Sequence, residues 1–141
     1  MMTRARAEQS GRVRWLLTHE GASARSAELC AAAAGRVLDK LNQQLVPLLG
    51  AAGVQALLVR SAKLAQGEFV CLADVARLET SARLRACLQA LDPGVAMATA
   101  EALFGTFLAL VTTFIGERLT LQALRASWPS IEARASTENK K

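Results

Sequence analysis

Apolar residues recur along this chain at spacings of three and four, and in one stretch they leave almost no polar side. That stretch is Val95–Ile115, 21 residues with a single formal charge, Glu101. Asp92-Pro93-Gly94 precedes it and Gly116-Glu117 follows, the punctuation expected at the two ends of a helix. Leu103, Phe107, Leu110 and Phe114 form one stripe, and Phe104, Leu108, Val111 and Ile115 form a second beside it. Ala98, Ala102, Gly105 and Ala109 form a third, small face that lets a neighbouring helix approach closely. A helix that is apolar on nearly every side must be surrounded.

Amphipathic segments elsewhere supply the cover. Ser23 or Ser26 caps a long helix that runs to about Leu49, with Ala34, Val37, Leu38, Leu41, Leu45 and Leu48 as its core face. Pro47 should kink or end that helix in its last turn. Gly50-Ala51-Ala52-Gly53 reads as a tight turn into a second helix over about Val54–Gln66. Val54, Leu57, Leu58, Ser61, Leu64 and Ala65 fall on its inner side, opposite Gln55, Lys63 and Gln66, with Arg60 at the boundary. From Gly67 to Leu78 the pattern is mixed, and Phe69, Val70 and Leu72 point to a connection lying over the core, with a helical turn starting at Asp74. A third helix spans about Glu79–Leu91, with Leu84, Leu88 and Leu91 inward and Glu79–Arg83 as an i, i+4 pair. A last helix covers about Leu119–Ser127 and stops at Trp128-Pro129, with Trp128 packed on the bundle.

The expected fold is all-α, a bundle of four to five helices around the central apolar helix at about 95–115. The expected organisation is a flexible basic leader over residues 1–22, with room for one short helix at Val13–Thr18, a bundle over 23–132 and a disordered tail over 133–141. A membrane span is the competing environment, since a helix of this length reaches roughly 31 Å, about one bilayer core. Five features disfavour it: Glu101, four threonines, no flanking aromatic belt, no tyrosine, and enough apolar surface on the other segments to cover the helix.

At 52% hydrophobic and 21% charged residues, the chain is too apolar to stay wholly disordered, and 141 residues suffice for one core. The net charge of +5 permits contact with nucleic acid or anionic surfaces without requiring either. The positive cluster is Arg4, Arg6, Arg12 and Arg14 in the leader. Cys30, Cys71 and Cys87 form no C-x-x-C pair, which argues against a zinc site and a disulfide framework and for small apolar fillers in a reducing cytoplasm. The longest apolar run near the start, Trp15-Leu16-Leu17, is too short for a secretory signal core.

Chemistry is sparse. His19 is the single histidine and has no partner in sequence for acid–base work or metal binding. Glu101 is a candidate buried carboxylate; buried, it would carry a raised pKa or an arginine partner, but its place near the helix start also suits a solvated side chain. No phosphate loop and no serine–histidine arrangement is present. The segments flanking Gly50–Gly53 have the outline of a helix-turn-helix, with Gln55, Arg60, Lys63 and Gln66 on the reading side, although two antiparallel core helices would look the same.

The segment Leu45-Val46-Pro47-Leu48-Leu49-Gly50-Ala51-Ala52-Gly53-Val54-Gln55-Ala56-Leu57-Leu58 and the later Thr113-Phe114-Ile115-Gly116-Glu117-Arg118-Leu119-Thr120-Leu121, closing on Trp128-Pro129, resemble short uncharacterised helical proteins of bacteria. The resemblance covers about residues 30–130. It implies a bacterial, cytoplasmic, standalone helical module and brings no catalytic residues.

The resulting expectation is a non-enzymatic interaction or regulatory module that self-associates, a homodimer, with no cofactor, no metal and no small-molecule substrate. Two alternatives stand beside it. One is nucleic-acid binding through Arg4, Arg6, Arg12, Arg14, Arg60 and Lys63, on the leader and helix 54–66. The other is a bundle holding a small apolar ligand between its helices.

Overall fold

The computed structural model describes residues 4–23, 25–65 and 81–131, without the side chains of residues 4–10 and 81–83. Among these residues there are six helices and no strand: α1 (Arg4–His19), α2 (Ala27–Leu49), α3 (Ala51–Ala65), α4 (Ser81–Gln89), α5 (Pro93–Ile115) and α6 (Glu117–Ser127). The fold is all-α. Each of the other five helices packs against α5, so the apolar helix is the axis of the bundle. A second axis is α2, which also touches α1, α3, α4 and α6.

The leader is where the expectation fails. Residues 4–19 form α1, and Val13, Leu16 and Leu17 are wholly buried against the rest of the core. These three apolar side chains recur at i, i+3 and i+4, a helical face too short to stand out among the surrounding arginines. Helix α1 then closes in a Schellman motif. Gly21 adopts φ +107°, its N–H donates to the Thr18 carbonyl, and the Ala22 N–H reaches back to Leu17. The positive φ is the reason for glycine there.

Ser26 caps α2 through its hydroxyl, which accepts from the Leu29 N–H at 3.2 Å. Ser26→Ala should therefore lower stability by about 0.5–2 kcal/mol in a denaturant titration. The core face is buried at Ala34, Val37, Leu38, Leu41 and Leu45, whereas Leu48 is exposed. Leu48 follows Pro47 in the last turn, which α2 completes before Gly50 closes it with a hydrogen bond to the Val46 carbonyl. Gly35 lies where α2 meets α4, and a Cβ there would come within 2.8 Å of the Arg85 side chain.

Helix α3 begins at Ala51, so the turn is shorter than Gly50–Gly53. Its buried arc takes in Val54, Leu57, Leu58, Ser61, Ala62 and Ala65. At 100° per residue Leu64 falls just outside that arc, and it is exposed. In α4, Leu84 and Leu88 are fully buried and Leu91 beyond it is half-buried. The connection over Gly67–Leu78, the Glu79–Arg83 pair and the tail over 133–141 lie outside the described residues.

Helix α5 buries Ala96, Thr99, Ala100, Leu103, Phe104, Gly105, Phe107, Leu108 and Val111. Both large stripes are covered in their middle and run out of cover at the end: Leu110 and Ile115 are half-buried and Phe114 is exposed. The helix is long and apolar enough to cross a membrane, and 56% of its most apolar stretch is buried in the bundle. Two of its hydroxyls bond backward within the helix, and Thr112 Oγ1 donates to Thr120 Oγ1 of α6 at 3.3 Å. Thr99 Oγ1 donates to the Val95 carbonyl at 2.7 Å, and Thr113 Oγ1 to Ala109 at 3.0 Å. Ser61 in α3 and Thr120 in α6 bond backward by four residues in the same way. Trp128 is fully buried, as its place after α6 suggested, and its backbone N–H closes that helix on Leu124.

The cysteines divide. Cys30 is a buried free thiol, its Sγ 3.9 Å from the Met97 sulfur. Cys87 is disulfide-bonded, so it is not the free filler its spacing suggested.

Candidate functional site

The principal polar cluster sits at the end of α1 and centres on Glu20, a residue the sequence left in a solvated leader. Its side chain is only 7% exposed. Lys40 Nζ of α2 and Trp128 Nε1 both donate to Oε2, the indole at 2.8 Å. Arg36 Nε lies 3.5 Å from Oε1, and an Arg36 guanidinium nitrogen donates to the Glu20 backbone carbonyl. Lys40 also stands 5.6 Å above the Trp128 ring, a cation–π distance. One carboxylate thus joins the turn after α1, helix α2 and the residue after α6.

Burial alone would raise the Glu20 pKa. Hydrogen bonds from Lys40 and Trp128, with the charges of Lys40 and His19, outweigh it and hold the carboxyl below its ordinary range. A carboxylate held ionised by these donors is a weak proton acceptor, so the cluster is built to hold helices together rather than to move protons.

Glu101, the carboxylate read from the sequence, has an arginine partner. Arg14 of α1 grips it with two hydrogen bonds, Nε to Oε2 at 2.8 Å and Nη2 to Oε1 at 3.2 Å. The Glu101 side chain is 17% exposed. The hydrogen bond to Glu101 and then its charge raise the Arg14 pKa. Across the helix pair the Cys30 thiol pKa is pushed up by burial and then by Glu101.

The four basic candidates with described side chains divide between α1 and α3, two helices that do not touch. Arg4 and Arg6 lie on α1 with side chains outside the description. Arg12 Nη2 pairs with Glu117 Oε2 at 3.1 Å, while its Nη1 is buried with no hydrogen-bond partner among the described residues. Arg14 is held by Glu101. Arg60 and Lys63 do share a surface. With Ala52, Gln55, Ala56, Val59 and Leu64 they line an open groove of about 760 Å³ along the outer side of α3.

His19 stacks on Trp15, ring centroids 4.8 Å apart at 13°. The two rings, with Arg14 and Thr18, border a shallow open cleft of about 270 Å³. Among the described residues no three His, Cys, Asp or Glu side chains are grouped to hold a metal ion.

No protein-family model, curated protein or solved structure matches this chain. Its function is therefore argued from the geometry above.

Proposed function

We propose that this chain is a non-enzymatic interaction or regulatory module that self-associates as a homodimer. The observation that carries this reading is the uncovered corner between α5 and α6. Phe114 ends the apolar stripe of α5 at 68% exposure, and Leu119 opens α6 at 39%. Gly116, at φ +89°, turns the chain between them. A phenylalanine exposed to that degree at the end of a core helix is apolar surface that a second copy can remove from water. A two-fold contact would place the same corner on both sides.

The test is light scattering after size exclusion over a dilution series. The wild-type chain should run as a dimer at micromolar concentration, and Phe114→Glu should run as a monomer with unchanged helix content. A wild-type chain that is monomeric throughout removes this reading.

Nucleic-acid binding is the second reading, and one observation favours it. Gln55, Arg60 and Lys63 share one groove in which no carboxylate of the described residues takes part. Against it, Arg12 and Arg14 are committed to Glu117 and Glu101 rather than free for phosphates. The apolar-ligand reading is weaker still, because the α3 groove is open and bordered by two cations rather than closed and apolar. The disulfide at Cys87 counts against the reducing environment that the cysteine spacing suggested.

A further inference from the structure

We propose that α1 is a releasable cover on the central helix, fastened by carboxylates and opened when they lose their charge. The inference is independent of self-association. The four ion pairs between described side chains all fasten α1 or the turn that ends it: Arg12–Glu117, Arg14–Glu101, Arg36–Glu20 and Lys40–Glu20. The four links lead to three different helices. Glu117 opens α6, Glu101 lies in α5, and Arg36 and Lys40 lie in α2.

The apolar grip of α1 is confined to one short stretch of its described side chains. Val13, Leu16 and Leu17 are its fully buried described side chains, with Trp15 partly covered beside them. What α1 covers is chiefly α5, the most apolar element of the chain. A polar helix therefore lies on an apolar one, held, among its described side chains, by three buried apolar residues and by ion pairs.

The groups that face each carboxylate set the response to acid. Glu20 meets His19 of its own helix, Arg36 and Lys40 of α2, and the Trp128 indole after α6. Glu101 meets Arg14 of α1 and the Cys30 thiol of α2. Glu117 meets Arg12. Neutralising these three carboxylates leaves Arg12, Arg14, Arg36 and Lys40 without counter-charge, and repulsion then adds to the lost bonds.

The sign follows from Glu20. Its folded-state pKa lies below its ordinary value, so its contribution is complete above the ordinary carboxylate range. It is lost as pH falls through the depressed value.

Hydrogen exchange by mass spectrometry on the full chain tests the proposal. In neutral solution Glu20→Gln, which keeps the shape and an oxygen for Lys40 and Trp128 but not the charge, should speed exchange in α1 roughly tenfold, the worth of one charged hydrogen bond. Exchange in α3 and α4 should stay as in the wild type. Arg14→Gln, at a side chain 71% exposed, should shift α1 in the same direction by less and keeps the test open if Glu20→Gln does not fold. Acidifying the wild type should release α1 before the other helices, after correction for intrinsic rates. Unchanged α1 exchange in the variants, or loss of protection in every helix together, overturns the proposal.

Discussion

Phe107→Ala should lower the unfolding free energy by about 3–5 kcal/mol, measured by denaturant titration. Phe107 is fully buried on α5, in the middle of the stripe that begins at Leu103. Truncation removes the ring from water-free packing and leaves a cavity that helices converging on α5 from several directions cannot easily close. The same change at Phe114 should cost far less, because that ring is 68% exposed in the fold described here. The contrast matters more than either value. Two phenylalanines two turns apart on one stripe should differ several-fold, and a helix lying bare in lipid or solvent would not separate them so.

The second large effect falls on Trp128. Trp128→Ala should cost about 3–5 kcal/mol, since the side chain is wholly buried and is the largest in the core. Trp128→Phe divides that loss. It keeps much of the packing but removes the Nε1 hydrogen bond to Glu20, and should cost about 1.5–3 kcal/mol, the range for a hydrogen bond to a charged group. The Phe variant should also raise the pH at which acid unfolding begins. Without the indole donor Glu20 loses one of the bonds that depress its pKa, so it accepts a proton sooner as the solution is acidified. Circular dichroism against pH measures that shift. If Trp128→Phe were neutral and left the acid limb where it was, the Glu20 cluster would not be holding the two ends of the chain together.

The central helix was legible because its signal is local. Twenty-one residues with one charge, bounded by Pro93-Gly94 and Gly116, demand a helix that others surround, and α5 is that helix. A serine cap at Ser23 or Ser26, which the fold places at Ser26, and the closing role of Trp128 were legible for the same reason. The error on residues 1–22 has a physical origin in the opposite condition. The apolar grip of α1 described here comes down to Val13, Leu16 and Leu17, and its remaining anchors are ion pairs to Glu101 and Glu117, 87 and 105 residues away.

Glu20 was hidden in the same manner. Its donors, Lys40 and Trp128, stand 20 and 108 residues along the chain, and nothing in its immediate neighbours marks it as buried. Glu101 was visible because a lone carboxylate interrupts an apolar run, but its arginine could not be chosen from the sequence. The limits of burial on α3 were a matter of rotation. Ala62 and Leu64 lie at opposite edges of the inward arc, and which edge was covered depended on the helix it met.

The claim on which the account rests is that α5 is sheathed by its own chain in plain aqueous buffer. Native-state hydrogen exchange by NMR, on lipid-free protein across sub-denaturing urea, tests it most directly. The amides from Leu103 to Val111 should be the slowest in the molecule and should open only by global unfolding, with a strong urea dependence. Rapid exchange of those amides without urea dependence, or a chain that stays folded only in detergent or lipid, would contradict it.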